Sequence, residues 1–126
     1  MSDMPKGDVA IRTIAMPADT NPNGDIFGGW LMSQMDLAAS TLAHTRAQGR
    51  VATVAVDGMS FLSPVFVGDE VSLYARMLTT GRTSMRIFVE AWRRPRADMA
   101  SIKVTEATFV FVSIDENRKP RALPGA

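Results

Sequence analysis

The chain has 126 residues, 46% of them apolar and 21% charged, with 14 Lys+Arg against 13 Asp+Glu for a formal charge of +1, and no cysteine. That length suits one domain with a core of its own, and near-neutrality argues against a domain built to coat nucleic acid or an anionic membrane. Without cysteine there is no disulfide, thiol nucleophile or thiolate metal site, and no apolar run approaches the roughly 20 residues that span a bilayer. Asp3, Lys6 and Asp8 stand at the N-terminus with no apolar stretch, so no signal peptide is expected and a soluble cytoplasmic protein is.

Residues 1–8, polar and containing Pro5 and Gly7, read as a flexible arm. Residues 9–16 alternate as a strand. Residues 17–25 carry the densest turn chemistry in the chain, Pro17-Ala18-Asp19-Thr20-Asn21-Pro22-Asn23-Gly24-Asp25. From 27 to 48 the period changes: Leu31, Met35, Ala38 and Leu42 form an apolar helical stripe, and Gly49 follows as a natural C′ residue. Four further strands are expected at 51–57, 70–78, 84–92 and 101–114, from their period-two alternation and β-branched or aromatic content. Residues 80–83 suit a hairpin turn, 94–98 a second connection, and 116–126 an extended C-terminal tail. The order of strand, helix and four strands predicts an α+β fold in which a curved antiparallel sheet wraps one long helix. Tyr74, Phe88, Trp92, Phe109 and Phe111 alternate with the Val/Ile/Met set and are expected on the sheet face away from the helix. Since one helix covers only one face, the other face or an edge is expected to meet a second subunit.

Most catalytic signatures are absent. There is no G-x-S-x-G, no phosphate-binding glycine loop and no metal-ligand spacing. The single histidine, His44, reads as a residue matched to the dipole at the helix C-terminus. What remains is Asn23-Gly24-Asp25-Ile26-Phe27-Gly28-Gly29-Trp30, a carboxylate where a loop feeds a long helix. Asp25 is either an N-cap or a group of chemical use. If the latter, the first-turn amides of Gly28 and Gly29 polarise a carbonyl and Asp25 activates water or attacks directly. Paired glycines favour this second reading, since they disfavour a helix unless close approach is needed. Asp36 reads as a structural carboxylate. Arg82, Thr83 and Ser84 offer a phosphate contact or plain hairpin polarity. The clusters Arg93, Arg94, Arg96 and Arg118, Lys119, Arg121 are solvated faces or contacts to a polyanionic small molecule.

The run from Met16 to Met32, with Asp57-Gly58-Met59-Ser60-Phe61-Leu62-Ser63-Pro64-Val65, Val67-Gly68-Asp69 and Lys119-Pro120-Arg121-Ala122-Leu123-Pro124, resembles the hotdog-fold acyl-CoA thioesterases of the YciA type. The resemblance extends over about residues 9–124. It implies a hotdog sheet of five to six strands over residues 9–115, dimers whose sheets join edge to edge, and hexamers made of three dimers. It implies hydrolysis of acyl-CoA to a carboxylic acid and CoA at the dimer interface. Neither a metal nor a cofactor is implied beyond the CoA of the substrate, and no nucleic acid or membrane partner. It places Asp25 as base or nucleophile, with Gly28 or Gly29 as the oxyanion amide. Asn23, Ser60 and Phe61 would then bind substrate, and Arg82, Thr83 and Ser84 the CoA phosphates. Where many of the family carry a basic residue, this chain has Ser63. A non-catalytic acyl-CoA sensor and an enoyl-CoA hydratase are the alternatives, the latter requiring His44 beside Asp25.

Overall fold

The computed structural model describes residues 4–98 and 100–126. One helix, α1 (Gly28–Ala47), and five strands, β1 (Asp8–Ile14), β2 (Val51–Phe61), β3 (Glu70–Thr80), β4 (Ser84–Arg94) and β5 (Ile102–Ser113), make up its frame, with a single 3-10 turn at Pro17–Asp19. All strand neighbours are antiparallel in the order β1-β3-β4-β5-β2. The expected 1–8 arm falls partly on residues 1–3, which lie outside the described residues.

The helix lies against the sheet because its apolar stripe matches the inner pleat. Leu31, Met35, Ala38, Ala39, Ala43 and Ala47 are buried on α1. They meet Val71, Leu73 and Ala75 of β3, and Met85, Ile87, Val89 and Ala91 of β4, all buried too. The four alanines let the helix axis come close to the strands without leaving voids. Phe109 and Phe111, expected on the far face, belong to this core. They pair with Ile87 and Met85 in register and are 1% and 2% exposed. Alternation alone cannot say which parity faces inward; the register of β5 against β4 decides it.

The far face is closed in part by the chain itself. Glu90, opposite in parity to the core residues, is 1% exposed. It accepts the Lys6 N–H at 2.9 Å and the Trp92 Nε1–H at 3.2 Å, and pairs with Lys103 Nζ at 3.2 Å. Lys103 also meets Glu106. Burial works against its charge, but the two carboxylates outweigh that and hold its pKa above the usual lysine range. Beside this cluster, Arg94 donates Nε and Nη2 to the two carboxylate oxygens of Glu70 at 3.2 and 3.1 Å. The Arg94 hydrogen bonds, and its charge with that of Arg12, keep the Glu70 carboxyl below its ordinary pKa.

One strand and the helix end differently from the sequence pattern. Strand β2 runs past residue 57 to Phe61, because Gly58, at φ 66°, absorbs a bulge between the pairs Asp57–Thr108 and Ser60–Glu106. At the other end α1 finishes on Gln48, not Gly49, in the left-handed region (φ 52°, ψ 45°). Gly49 is needed for a different reason. Arg121 crosses it to donate Nη2 to the Ala47 carbonyl at 2.8 Å, and a Cβ at Gly49 would stand 2.6 Å from that nitrogen. The tail is stitched on by Arg121 N–H to Ser113 O and Leu123 N–H to Arg82 O, and Leu123 is buried. Asp36 accepts the Thr53 hydroxyl at 2.7 Å and fastens mid-helix to the edge strand β2.

Candidate active site

The loop before α1 is wound around one amide side chain. Asn21 Oδ1 accepts the N–H groups of Asn23 (2.9 Å) and Asp25 (3.1 Å), and the Asn21 N–H donates to the Asp25 carbonyl at 2.7 Å. Ile26 turns inward, its N–H donating to Val65 O at 3.3 Å, while the Phe27 N–H reaches Asp19 O at 3.2 Å. A buried Ile26 leaves its neighbour Asp25 exposed. Among the described residues no side chain pairs with the Asp25 carboxylate. The N-cap of α1 is Phe27, which makes no side-chain cap, and the first turn holds no acidic residue. The N-cap reading of Asp25 therefore falls. The helix starts with its leading N–H groups, those of Gly28 and Gly29, free of any acceptor within the helix.

Gly28 lines a cleft of about 480 Å³, and Gly29 follows it in the same turn. Asp25, Gly28 and Leu31 line the cleft from the loop and helix; Phe61, Leu62, Ser63 and Val65 form the wall contributed by the end of β2 and the connection after it, and Val104 of β5 also lines it. A carbonyl seated against the Gly28 amide would develop its negative charge at the positive end of a 20-residue helix. The adjacent carboxylate has access to water.

The sequence-derived residues divide into three groups. Asp25, Gly28 and Phe61 are together in the cleft, and Gly29 is the next residue of the same turn. Asn23 is on the same loop, but the residue lining the cleft is Asn21. Its signal was the Asn-Pro-Asn-Gly turn, in which the first asparagine is the one able to fold back on later amides. Ser60 does not line the cleft; its carbonyl accepts the Thr105 hydroxyl at 2.6 Å, tying β2 to β5. Arg82, Thr83 and Ser84 form the turn between β3 and β4, where the Gly81 N–H meets Ser84 O and the Ser113 N–H meets Thr83 O. Ser113 pairs with Val51 just beyond the helix C-terminus, so this turn lies about 30 Å from Asp25, the length of α1. One chain does not bring the two groups together. Val104 had no local signal, since it is one apolar residue in a strand rich in them.

His44 is in the last turn of α1, its Nδ1 2.8 Å from Gly49 O. Among the described residues no group of three or more His, Cys, Asp or Glu side chains is placed to hold a metal ion, and no helix is long and apolar enough to cross a membrane.

Residues 23–100, which include Asp25, the whole helix and most of the cleft, match the model of the thioesterase superfamily. The chain belongs to the thioesterase superfamily. Among superfamily members, the acyl-CoA thioester hydrolase YciA of Escherichia coli strain K12 is 54% identical over 97% of this chain and 95% of its own length. A hexameric thioesterase from Yersinia pestis superposes with a TM-score of 0.93 at 53% identity, covering 98% of this chain and all of that one. A hexameric broad-specificity acyl-coenzyme A thioesterase superposes with a TM-score of 0.93 at 48% identity, covering 97% and 84%. The five-stranded antiparallel sheet around one long helix is the hotdog fold of these thioesterases.

Proposed function

We propose that the chain hydrolyses acyl-CoA thioesters, with Asp25 as the reacting carboxylate and the Gly28 and Gly29 amides as the oxyanion site. The observation that carries this reading is an unpaired carboxylate and an uncapped helix N-terminus sharing one cleft. In the general-base route Asp25 takes a proton from water, the hydroxide oxygen bonds to the thioester carbon, and the amides hold the oxyanion. The C–S bond then breaks and the CoA thiolate takes up a proton. In the nucleophilic route Asp25 forms a transient anhydride that water opens; both routes yield a carboxylate and free CoA. A thioester suits so small a catalytic set, because its carbonyl is weakly resonance-stabilised and its thiolate leaves readily. The reaction as written needs only water, so no cofactor enters the proposal. Enoyl-CoA hydration by an Asp–His pair is disfavoured: His44 is about 24 Å along the helix from Gly28.

The sheet has two edge strands, β1 and β2, and we place the dimer seam at β2. β2 has one neighbour, β5, and bears exposed Val54 and Phe61. A second copy joined there by a two-fold axis would run its β2 antiparallel to the first, so that the Val51 end of one faces the Phe61 end of the other. On this reading the partner's Arg82, Thr83 and Ser84 turn would face the Asp25 cleft and meet the CoA phosphates, with Phe61 of the cleft and the neighbouring Asn23 and Ser60 as further substrate contacts. Three such dimers would give the hexamer borne by the relatives' structures. We take residues 9–115 as the catalytic unit, 116–126 as a tail packed on it, and the cytoplasm, where acyl-CoA is made and used, as its location.

The test is release of free thiol from acyl-CoAs ranging from acetyl to palmitoyl by wild type and Asp25→Asn. The protein has no cysteine, so it adds no background to a thiol reagent. Wild-type turnover, lost on the order of a hundredfold or more in Asp25→Asn, supports the proposal. Calorimetric binding of acyl-CoA without turnover by wild type would replace it with a sensor.

A further inference from the structure

The three arginines near the end of β4 do different things. Arg94 is engaged with Glu70, and the Arg96 side chain lies over Gly68. Arg93 points to the cleft wall. Its side chain is 12% exposed, and its polar contacts fall on one segment, the connection between β2 and β3. Nε donates to Ser63 Oγ at 3.2 Å, Nη1 donates to Asp69 Oδ2 at 3.3 Å, and Cζ stands 5.3 Å from the centre of the Phe66 ring. Asp69 is itself buried and accepts the Phe66 N–H at 2.9 Å on the same oxygen.

The segment held in this way carries Leu62, Ser63 and Val65, most of one wall of the cleft, and the Val65 carbonyl accepts the N–H of Ile26, the residue next to Asp25. A path of direct contacts thus runs from the Arg93 guanidinium to the backbone beside the carboxylate, without Arg93 touching the cleft itself. Over 62–69 the wall is an irregular segment whose backbone is tied at its two ends, by the Leu62 N–H to Val104 O (2.7 Å) and by Gly68 and Asp69 to Ala15, and by Val65 to Ile26. Arg93 adds the side-chain contacts that hold Ser63 and Asp69. A planar guanidinium can hold two acceptors and stack on a ring at once, which no other side chain does.

We infer that Arg93 is a positioning residue that fixes the wall of the cleft beside Asp25 and thereby sets which acyl chains the enzyme accepts. The inference rests on the thioesterase reading of that cleft. With the clamp intact, the distance between Leu62–Val65 and the Gly28–Leu31 side is fixed, and acyl chains are discriminated by fit. With it broken, the wall shifts and the discrimination relaxes.

The experiment measures kcat and KM across acyl-CoAs from acetyl to palmitoyl for Arg93→Gln, Arg93→Lys and Ser63→Ala, with wild type and Asp25→Asn alongside. A variant that merely folds less well lowers kcat by the same factor for every chain and leaves KM and the ratios of kcat/KM between chains unmoved. The expected result is a flattening of those ratios on the order of tenfold in Arg93→Gln. Ser63→Ala, which removes one acceptor and keeps the Asp69 pair, should move them less and in the same direction. Arg93→Lys, which keeps the charge but not the fork, should fall between the two. Unchanged KM and unchanged ratios in all the soluble variants would overturn the inference, and if Arg93→Gln does not fold, the other two decide it. Full turnover by Asp25→Asn would instead remove the catalytic reading of the cleft, whatever Arg93 does.

Discussion

Phe61 occupies the space that a side chain on Gly28 would need: a Cβ at Gly28 would stand 3.0 Å from Cζ of the Phe61 ring. The start of the helix and the end of the edge strand are thus in contact across the cleft, and the glycine is what permits it. Gly28→Ala should fold, because Phe61 is 52% exposed and its ring can swing outward. The displaced ring and the new methyl crowd the amide where a thioester carbonyl would sit. The variant keeps its N–H but obstructs access to it, and a blocked oxyanion donor is expected to lower kcat in thiol release by up to about a hundredfold. Adding Phe61→Ala should recover part of it, and a double-mutant cycle on kcat measures the coupling.

Gly29 poses the opposite balance. A Cβ there would meet the Phe27 ring at 3.3 Å, and that ring is exposed enough to yield. Alanine is a better helix former than glycine by up to about 1 kcal/mol. Gly29→Ala is therefore expected to raise the melting temperature while lowering kcat on acyl-CoA, a trade of stability against close approach. Calorimetry and steady-state kinetics on the same preparation check both halves, and a variant that gains stability at full kcat would take Gly29 out of the oxyanion site.

Much of this was legible in the residues, for reasons that also mark the boundary. The stripe Leu31, Met35, Ala38 predicts a helix because its period is local, and all three are buried. Asp25 and Gly28 are found because loop, carboxylate and helix start are adjacent in sequence. The parity of Phe109 and Phe111 is not local: it depends on register against β4, which alternation leaves free. The extension of β2 to Phe61 is hidden because a bulge at Gly58 breaks the period-two pattern at the point where it matters. Arg93 read as one of three clustered arginines; only the fold shows that its partners are Ser63 and Asp69, 30 and 24 residues away in sequence. The separation of Arg82–Ser84 from Asp25 along the helix follows the same rule, since a motif gives no distance to another motif.

Phe109 tests where the core is. With 1% exposure and Ile87 opposite it, the ring is enclosed between β5, β4 and α1. Phe109→Ala should destabilise the fold by about 3–5 kcal/mol through lost burial and a residual cavity. A denaturant titration measures this as a lowered midpoint at constant slope. A loss below about 1 kcal/mol would return Phe109 to the outer face.

The Glu70–Arg94 pair gives the fold a pH dependence whose sign can be worked out. Two Arg94 hydrogen bonds hold the Glu70 carboxyl below its ordinary value of 4.5 in the folded chain. The unfolded chain then binds the proton more readily than the folded one, so the contribution of Glu70 to stability is fully present above pH 4.5 and is lost as pH falls through the lowered folded value. Glu70→Gln removes that contribution. Wild type should be the more stable of the two at pH 7, and the difference between their melting temperatures should shrink steadily below pH 4.5. The gap is expected to be small, because both side chains are partly exposed and solvent screens such pairs, and added salt should narrow it at pH 7. Parallel melting curves from pH 3 to pH 7 decide the matter: a gap that stays constant through the acid range would mean that the lost stability comes from packing of the Glu70 stem and not from its charge.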